Sequence, residues 1–135
     1  MKNVFETTVM YGDTDAYSVV WHGGYLRFLE RGRYNICKDL GVNLDKIDTN
    51  GITFPVVDMH VRFKSPAVLF EEIEIETEIT ELKSRTVTFS QTIKNKKSGV
   101  IHITAEFVCC AVGGSDMKLT KFPTDIYEAF SSAIN

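Results

Sequence analysis

The sequence predicts an α+β domain in which an antiparallel sheet packs against one long helix. Three observations carry this reading. Residues 25–40 repeat apolar side chains at helical spacing, whereas residues 72–79 and 85–93 alternate with a period of two. The cluster Asn95-Lys96-Lys97-Ser98-Gly99 then separates two long alternating stretches, as a turn between antiparallel neighbours does. At 135 residues the chain is the size of one domain, and residues 1–135 are read as such.

Residues 3–10 are short and β-rich and read as a strand. Residues 11–24 carry Gly12, Gly23, Gly24, Asp13, Asp15 and Ser18, an ordered loop. From Tyr25 to Leu40, apolar or small residues fall at 25, 28, 29, 32, 36, 37 and 40, and Gly41 supplies a left-handed stop. A loop over 41–53 follows. Residues 54–63 are β-rich, but Pro55 places them at an edge or at the start of a strand. Residues 72–79 put isoleucines on one face and glutamates on the other, so Glu72, Glu74, Glu76 and Glu78 read as a solvated stripe. Residues 85–93 bring Val87, Phe89 and Ile93 together. Residues 100–112 form a long strand with Ile101, Ile103, Ala105 and Phe107 on one face and His102, Thr104 and Glu106 on the other. Thr124-Asp125 is expected to cap a closing helix through Phe130. The order is strand, long helix, then four strands in a meander. One helix covers only one sheet face and leaves long edges open, so paired subunits are expected.

Composition narrows the function. Fifteen Lys+Arg against 18 Asp+Glu give a formal charge of −3, which argues against nucleic acid as the main partner. With 44% hydrophobic and 24% charged residues the chain is globular rather than disordered. No apolar run approaches the roughly 20 residues of a membrane span. Residues 1–8 hold Glu6 and two threonines where a signal peptide needs an apolar core. Cys37, Cys109 and Cys110 form neither a disulfide framework nor a zinc spacing, and a reduced, cytoplasmic compartment is expected.

The chemistry concentrates between Tyr11 and Arg33. Two carboxylates, Asp13 and Asp15, and one imidazole, His22, precede a helix start. A helix N-terminus offers free backbone N–H groups and a positive dipole end to a carbonyl oxygen gaining charge. A nearby carboxylate can attack, or activate water. These are the parts of acyl transfer. On residue types alone, three readings stay open: turn and capping chemistry, a metal site whose third and fourth ligands are not evident, and catalysis.

The segment resembles the signature of the 4-hydroxybenzoyl-CoA thioesterase-like family of hotdog-fold proteins. The matching positions are Tyr11, Asp13, Asp15, Val19, Val20, Trp21, His22, Tyr25, Phe28, Glu30 and Arg33. Similarity continues in Val61-Arg62-Phe63-Lys64-Ser65-Pro66-Ala67 and in Leu119-Thr120-Lys121-Phe122-Pro123. The resemblance implies a hotdog fold, a sheet wrapped around one long helix. It implies Asp15 as the catalytic carboxylate, the His22 N–H as the carbonyl-polarising donor, and the His22 side chain in support. Tyr11, Val20, Trp21 and Tyr25 would bind substrate. Lys83-Ser84-Arg85 would contact CoA phosphates, with Arg62 and Lys64 as weaker candidates. CoA is then part of the substrate, and no separate cofactor or metal is implied. Asp13 would hold the loop, and Glu30 and Arg33 would pair. Ser18 stands where the family usually has Gly, which bears on acyl preference. Cys109-Cys110 reads as strand packing, and His60 and His102 as structural. The expected activity is hydrolysis of an acyl-CoA thioester by a homodimer or homotetramer. The alternatives are an acyl-carrier-protein thioesterase and a non-catalytic module that binds acyl thioesters.

Overall fold

The computed structural model of the chain describes residues 1–45, 51–113 and 116–134. β1 (Asn3–Thr8) leads through one 3₁₀ turn (Tyr11–Asp13) to α1 (His22–Asp39). β2 (Ile52–Thr53), β3 (Val56–Phe63), β4 (Glu72–Leu82), β5 (Thr86–Asn95) and β6 (Ile101–Cys110) follow. β7 (Val112–Gly113), β8 (Lys118–Leu119) and α2 (Thr124–Ser132) complete the order. The main sheet is antiparallel with strand order β1-β4-β5-β6-β3, and β2, β7 and β8 form a small second sheet. The main sheet wraps α1 in the hotdog arrangement.

Several features differ from the sequence reading. First, α1 begins at His22, three residues early, because Gly23 and Gly24 serve close packing rather than a turn. A Cβ on Gly23 would sit 2.3 Å from the Trp21 ring, and one on Gly24 would sit 2.9 Å from the Asp13 carbonyl oxygen. Second, the expected four-strand meander is a three-strand meander, β4-β5-β6, plus a crossover. β1 takes the free edge of β4 from Asn3↔Thr77 to Thr8↔Glu72, so β3 pairs with β6 at the opposite edge. Residues 64–71 must therefore cross the ends of β6 and β5 to reach β4. Third, α2 is capped by Pro123 with no side-chain bond, and Thr124 is its first helical residue. Fourth, the glutamate stripe is partly covered. Lys94 Nζ lies 3.1 Å from Glu76 and 3.9 Å from Glu74, and Lys2 lies 3.6 Å from Glu76. The expected strand over 100–112 breaks at Ala111, and residues 46–50 of the expected loop lie outside the described residues.

The core has two halves. Val20, Tyr25, Phe28, Leu29, Ile73, Ile75, Ile93 and Ile103 pack near the start of α1. Ile36, Cys37, Ile79, Phe89, Cys109 and Phe130 pack near its end. Between them sits a buried polar layer. Gln91 Nε2 donates to the Leu29 carbonyl and to Thr77 Oγ1, both at 2.9 Å, while its Oε1 accepts from Arg33 at 3.0 Å. Gly32 lets the helix approach this layer: a Cβ there would fall 2.7 Å from both Ile75 and Thr77. No helix among the described residues is long and apolar enough to cross a membrane.

Candidate active site

The loop between β1 and α1 folds on itself through short-range bonds. Met10 N–H donates to Asp13 Oδ2 at 2.8 Å, and Trp21 N–H donates to the Asp13 carbonyl at 3.2 Å. Asp13 thus holds the loop with both its side chain and its backbone. Asp15 opens a tight turn: Tyr17 N–H donates to its Oδ1 at 2.8 Å, and Asp15 N–H donates to the Val19 carbonyl at 2.9 Å. That leaves Oδ2 without a hydrogen-bond partner among the described residues.

Trp21 caps α1 with its backbone alone. Its carbonyl accepts from Gly24 and Tyr25 N–H, at 2.9 and 3.3 Å. The N–H groups of His22 and Gly23, ahead of these, meet no protein acceptor among the described residues. They are unspent donors at the positive end of a helix of 18 residues.

His22 and Asp15 line one pocket of about 360 Å³. Its walls include Val20, Trp21, His22 and Tyr25 from the loop and α1, and Phe63, Lys64, Ser65 and Pro66 from the crossover side. The exposed His22 ring stands edge-on to Phe63 at 5.4 Å, and Phe63 in turn meets Tyr25 at 5.8 Å. Tyr25 is buried, and its Oη accepts from Ala67 N–H at 3.0 Å. Burial pushes the Tyr25 phenol above its ordinary range, assisted by the charges of Glu71 and Asp15 and opposed by the Ala67 hydrogen bond.

Of the residues marked in the sequence, Asp15, Val20, Trp21, His22 and Tyr25 come together. Tyr11 does not line the pocket; it stacks edge-on against Phe70 at 5.2 Å. Lys83, Ser84 and Arg85 are also elsewhere in the same chain. They form the β4–β5 hairpin, a β4 length or roughly 35 Å from Glu72, at the opposite end of the sheet. Lys83 lies 3.5 Å from Glu81, and the Ser84 and Arg85 carbonyls accept from Phe122 and Ala111. Lys64 is the cation that lines the pocket. The residue pattern alone does not single out Phe63, Ser65 and Pro66 as site residues. Their signal was present in the Val61–Ala67 resemblance, but only the crossover brings that segment to α1.

The expected Glu30–Arg33 ion pair is not formed. Arg33 turns inward instead, with Nη1 on Gln91 and the guanidinium 3.9 Å above the Phe107 ring. Burial opposes its charge and draws its pKa down. A second cavity, about 450 Å³, lies farther along α1 and is lined by Arg33, Cys37, Phe89, Cys109 and Phe130.

Residues 9–130 match the family described as the thioesterase-like superfamily. The chain is 32% identical over 122 residues to the acyl-CoA thioester hydrolase YbgC of Escherichia coli O157:H7, covering 90% of each. It is 30% identical over 127 residues to the acyl-CoA thioesterase YbgC of Haemophilus influenzae, covering 93% of this chain and 92% of that one. Its fold superposes on a 1,4-dihydroxy-2-naphthoyl-CoA thioesterase from Synechocystis with a TM-score of 0.89 at 17% identity, over 97% of this chain and 96% of that one. By sequence match and by fold, the chain belongs to the hotdog thioesterase-like superfamily.

Proposed function

We propose that this protein hydrolyses an acyl-CoA thioester to the free acid and CoA. One observation carries the reading: Asp15, with one carboxylate oxygen left open, and His22, which with Gly23 offers the unspent N–H groups of α1, line one pocket. A thioester carbonyl oxygen seated on those N–H groups gains charge as its carbon becomes tetrahedral, and the helix end favours that charge. Preorganised donors of this kind contribute about 3–4 kcal/mol to lowering the barrier. Asp15 either attacks the carbon itself, expelling the CoA thiolate and leaving an acyl anhydride that water then hydrolyses to the free acid, or takes a proton from the attacking water. In the water route a C–O bond forms, the C–S bond breaks, and the proton passes to the departing thiolate. His22, exposed at the pocket mouth, orients water or the thioester. Val20, Trp21 and Tyr25 form the wall for the acyl part, and no metal is assigned a role.

The test is thiol release from a panel of acyl-CoA thioesters, parent against Asp15→Asn. The variant should lose at least about a hundredfold in kcat, the scale of a lost general base or nucleophile. Retention of more than half the parent rate removes Asp15 from the chemistry. Chelator should leave the parent rate unchanged; a loss restored by a divalent ion would revive the metal reading.

A further inference from the structure

His102 lies at the start of β6, beneath the crossover between β3 and β4. Its side chain is 5% exposed, and that of Glu71 is 10% exposed. Nε2 contacts Glu71 Oε2, while Nδ1 lies 2.9 Å from Ser65 Oγ and 3.2 Å from the Ser65 carbonyl oxygen. Ser65 Oγ donates to the Ile101 carbonyl at 2.8 Å. One buried imidazole therefore ties both ends of the segment Ser65–Glu71.

The middle of that segment is bonded to the active-site loop. Val20 N–H donates to the Ala67 carbonyl at 3.0 Å, and Leu69 N–H donates to the Ser18 carbonyl at 3.1 Å. Ala67 N–H donates to Tyr25 Oη at 3.0 Å. Ser18 and Val20 bracket Val19, the partner of Asp15. The chain of contacts runs from His102, through the crossover, to the catalytic turn and the first turn of α1.

We propose that Glu71, His102 and Ser65 form a clamp that positions the Asp15 turn, with His102 as its central positioning residue. Buried polar partners hold geometry because removing one leaves the others unsatisfied. The same three side chains would also suit a serine nucleophile with its base and acid. Two observations favour the clamp. Ser65 Oγ has a carbonyl acceptor at 2.8 Å, and the N–H groups of Lys64 and Ser65 both point to the His102 carbonyl, at 2.8 and 3.4 Å. Neither the Lys64 nor the Ser65 backbone N–H is therefore left to serve as an oxyanion donor for Ser65.

The effect on rate rests on the thioesterase reading; the effect on geometry does not, and the experiment separates them. Amide hydrogen exchange is measured residue by residue in parent, His102→Gln and Glu71→Ala, with Glu71→Gln as the conservative control. The Val20, Ala67 and Leu69 amides should exchange at least about tenfold faster in the first two variants, with β5 amides within about twofold of parent, as local opening requires. Glu71→Gln, which keeps an acceptor, should fall between. On a thioester the parent hydrolyses, kcat should drop at least about tenfold with KM within about twofold, the pattern of a misplaced reacting group. Unchanged Val20 and Leu69 amides, or equal acceleration throughout β4 and β5, would overturn the clamp. So would unchanged kcat in a folded His102→Gln, or labelling of Ser65 by a fluorophosphonate. A parent inactive on the whole panel would defeat the thioesterase reading, and the exchange comparison would still decide the clamp. If His102→Gln does not fold, Glu71→Ala and Ser65→Ala carry the same comparison.

Discussion

Ser18 holds a backbone conformation that its side chain resists. Its φ is +61°, in the left-handed region, and its carbonyl is committed to Leu69 N–H. A non-glycine residue there costs roughly 1–2 kcal/mol, which glycine avoids at some cost in chain entropy. Ser18→Gly should therefore raise stability by about 0.5–1 kcal/mol, and Ser18→Val should lower it, as read by urea midpoints. Equal midpoints for all three would mean that the turn carries no strain. A second residue-scale effect concerns pH. Burial, with Cys109 adding to it, pushes the Cys37 thiol from 9.0 up to about 12. Burial likewise raises Cys109 and Tyr25. Between about pH 9 and 12 the unfolded chain releases the Cys37 proton while the folded chain keeps it. The unfolded state then binds fewer protons, so stability is complete below pH 9 and declines as pH rises through that window. The slope from Cys37 alone approaches about 1.4 kcal/mol per pH unit. Urea titrations from pH 8 to 11 should show a steeper decline in parent than in Cys37→Ala. Parallel slopes would remove Cys37 from the linkage.

At the scale of elements, α1 is set by its contact with the polar layer of the sheet. Gly32 faces Ile75, Thr77 and Gln91, with a Cβ position 2.7–2.8 Å from each. Gly32→Ala forces that layer to shift, and overpacking of this kind costs about 1–3 kcal/mol, more than the alanine gains in helix propensity. Chemical denaturation measures it, and a variant as stable as parent would show that the layer yields freely. The sequence carried much of this architecture. Period-two alternation located β4 and β5, period 3.6 located α1, and the Asp13–Tyr25 run located most of the pocket. What it did not carry has physical causes. Gly23 and Gly24 read as loop because composition cannot separate a turn glycine from one a tryptophan ring must approach. β3 read as the first strand of a meander because nothing local states that β1 already occupies β4. The crossover was therefore not foreseen, nor were the Phe63–Pro66 wall and the burial of His102. Helical spacing puts Arg33 one turn from Glu30, whereas the partners it meets, Gln91 and Phe107, lie far off in sequence.

For the whole molecule, the exposed edge strand β3 poses the remaining question. Val56, Val57, Met59 and Phe63 are 42–57% exposed along it, an apolar edge of the kind that invites pairing. We propose that two copies join β3 to β3 about a two-fold axis, giving a dimer or a dimer of dimers. An antiparallel junction of this kind reverses the partner, so the partner's β4–β5 hairpin comes to the same end as this chain's Asp15 pocket. It would stand three to four strand spacings from β3, roughly 15–20 Å away. Lys83 and Arg85, remote from the pocket within one chain, would then grip the phosphates of a CoA bound next door, while Lys64 serves its own pocket. Light scattering should report at least twice the chain mass of 15.2 kDa. Changing Lys83 and Arg85 to Ala should raise KM for an acyl-CoA with a smaller effect on kcat, since contacts kept in both ground and transition states appear in KM. Because such exposed contacts are screened within roughly 10 Å at 0.1 M salt, the KM gap between parent and variant should narrow as salt rises. An acyl-pantetheine thioester, lacking the nucleotide, should show no such gap. If parent handles both thioesters equally and the double variant matches parent, the hairpin is a surface turn. The carrier-protein thioesterase then becomes the stronger reading of the same pocket.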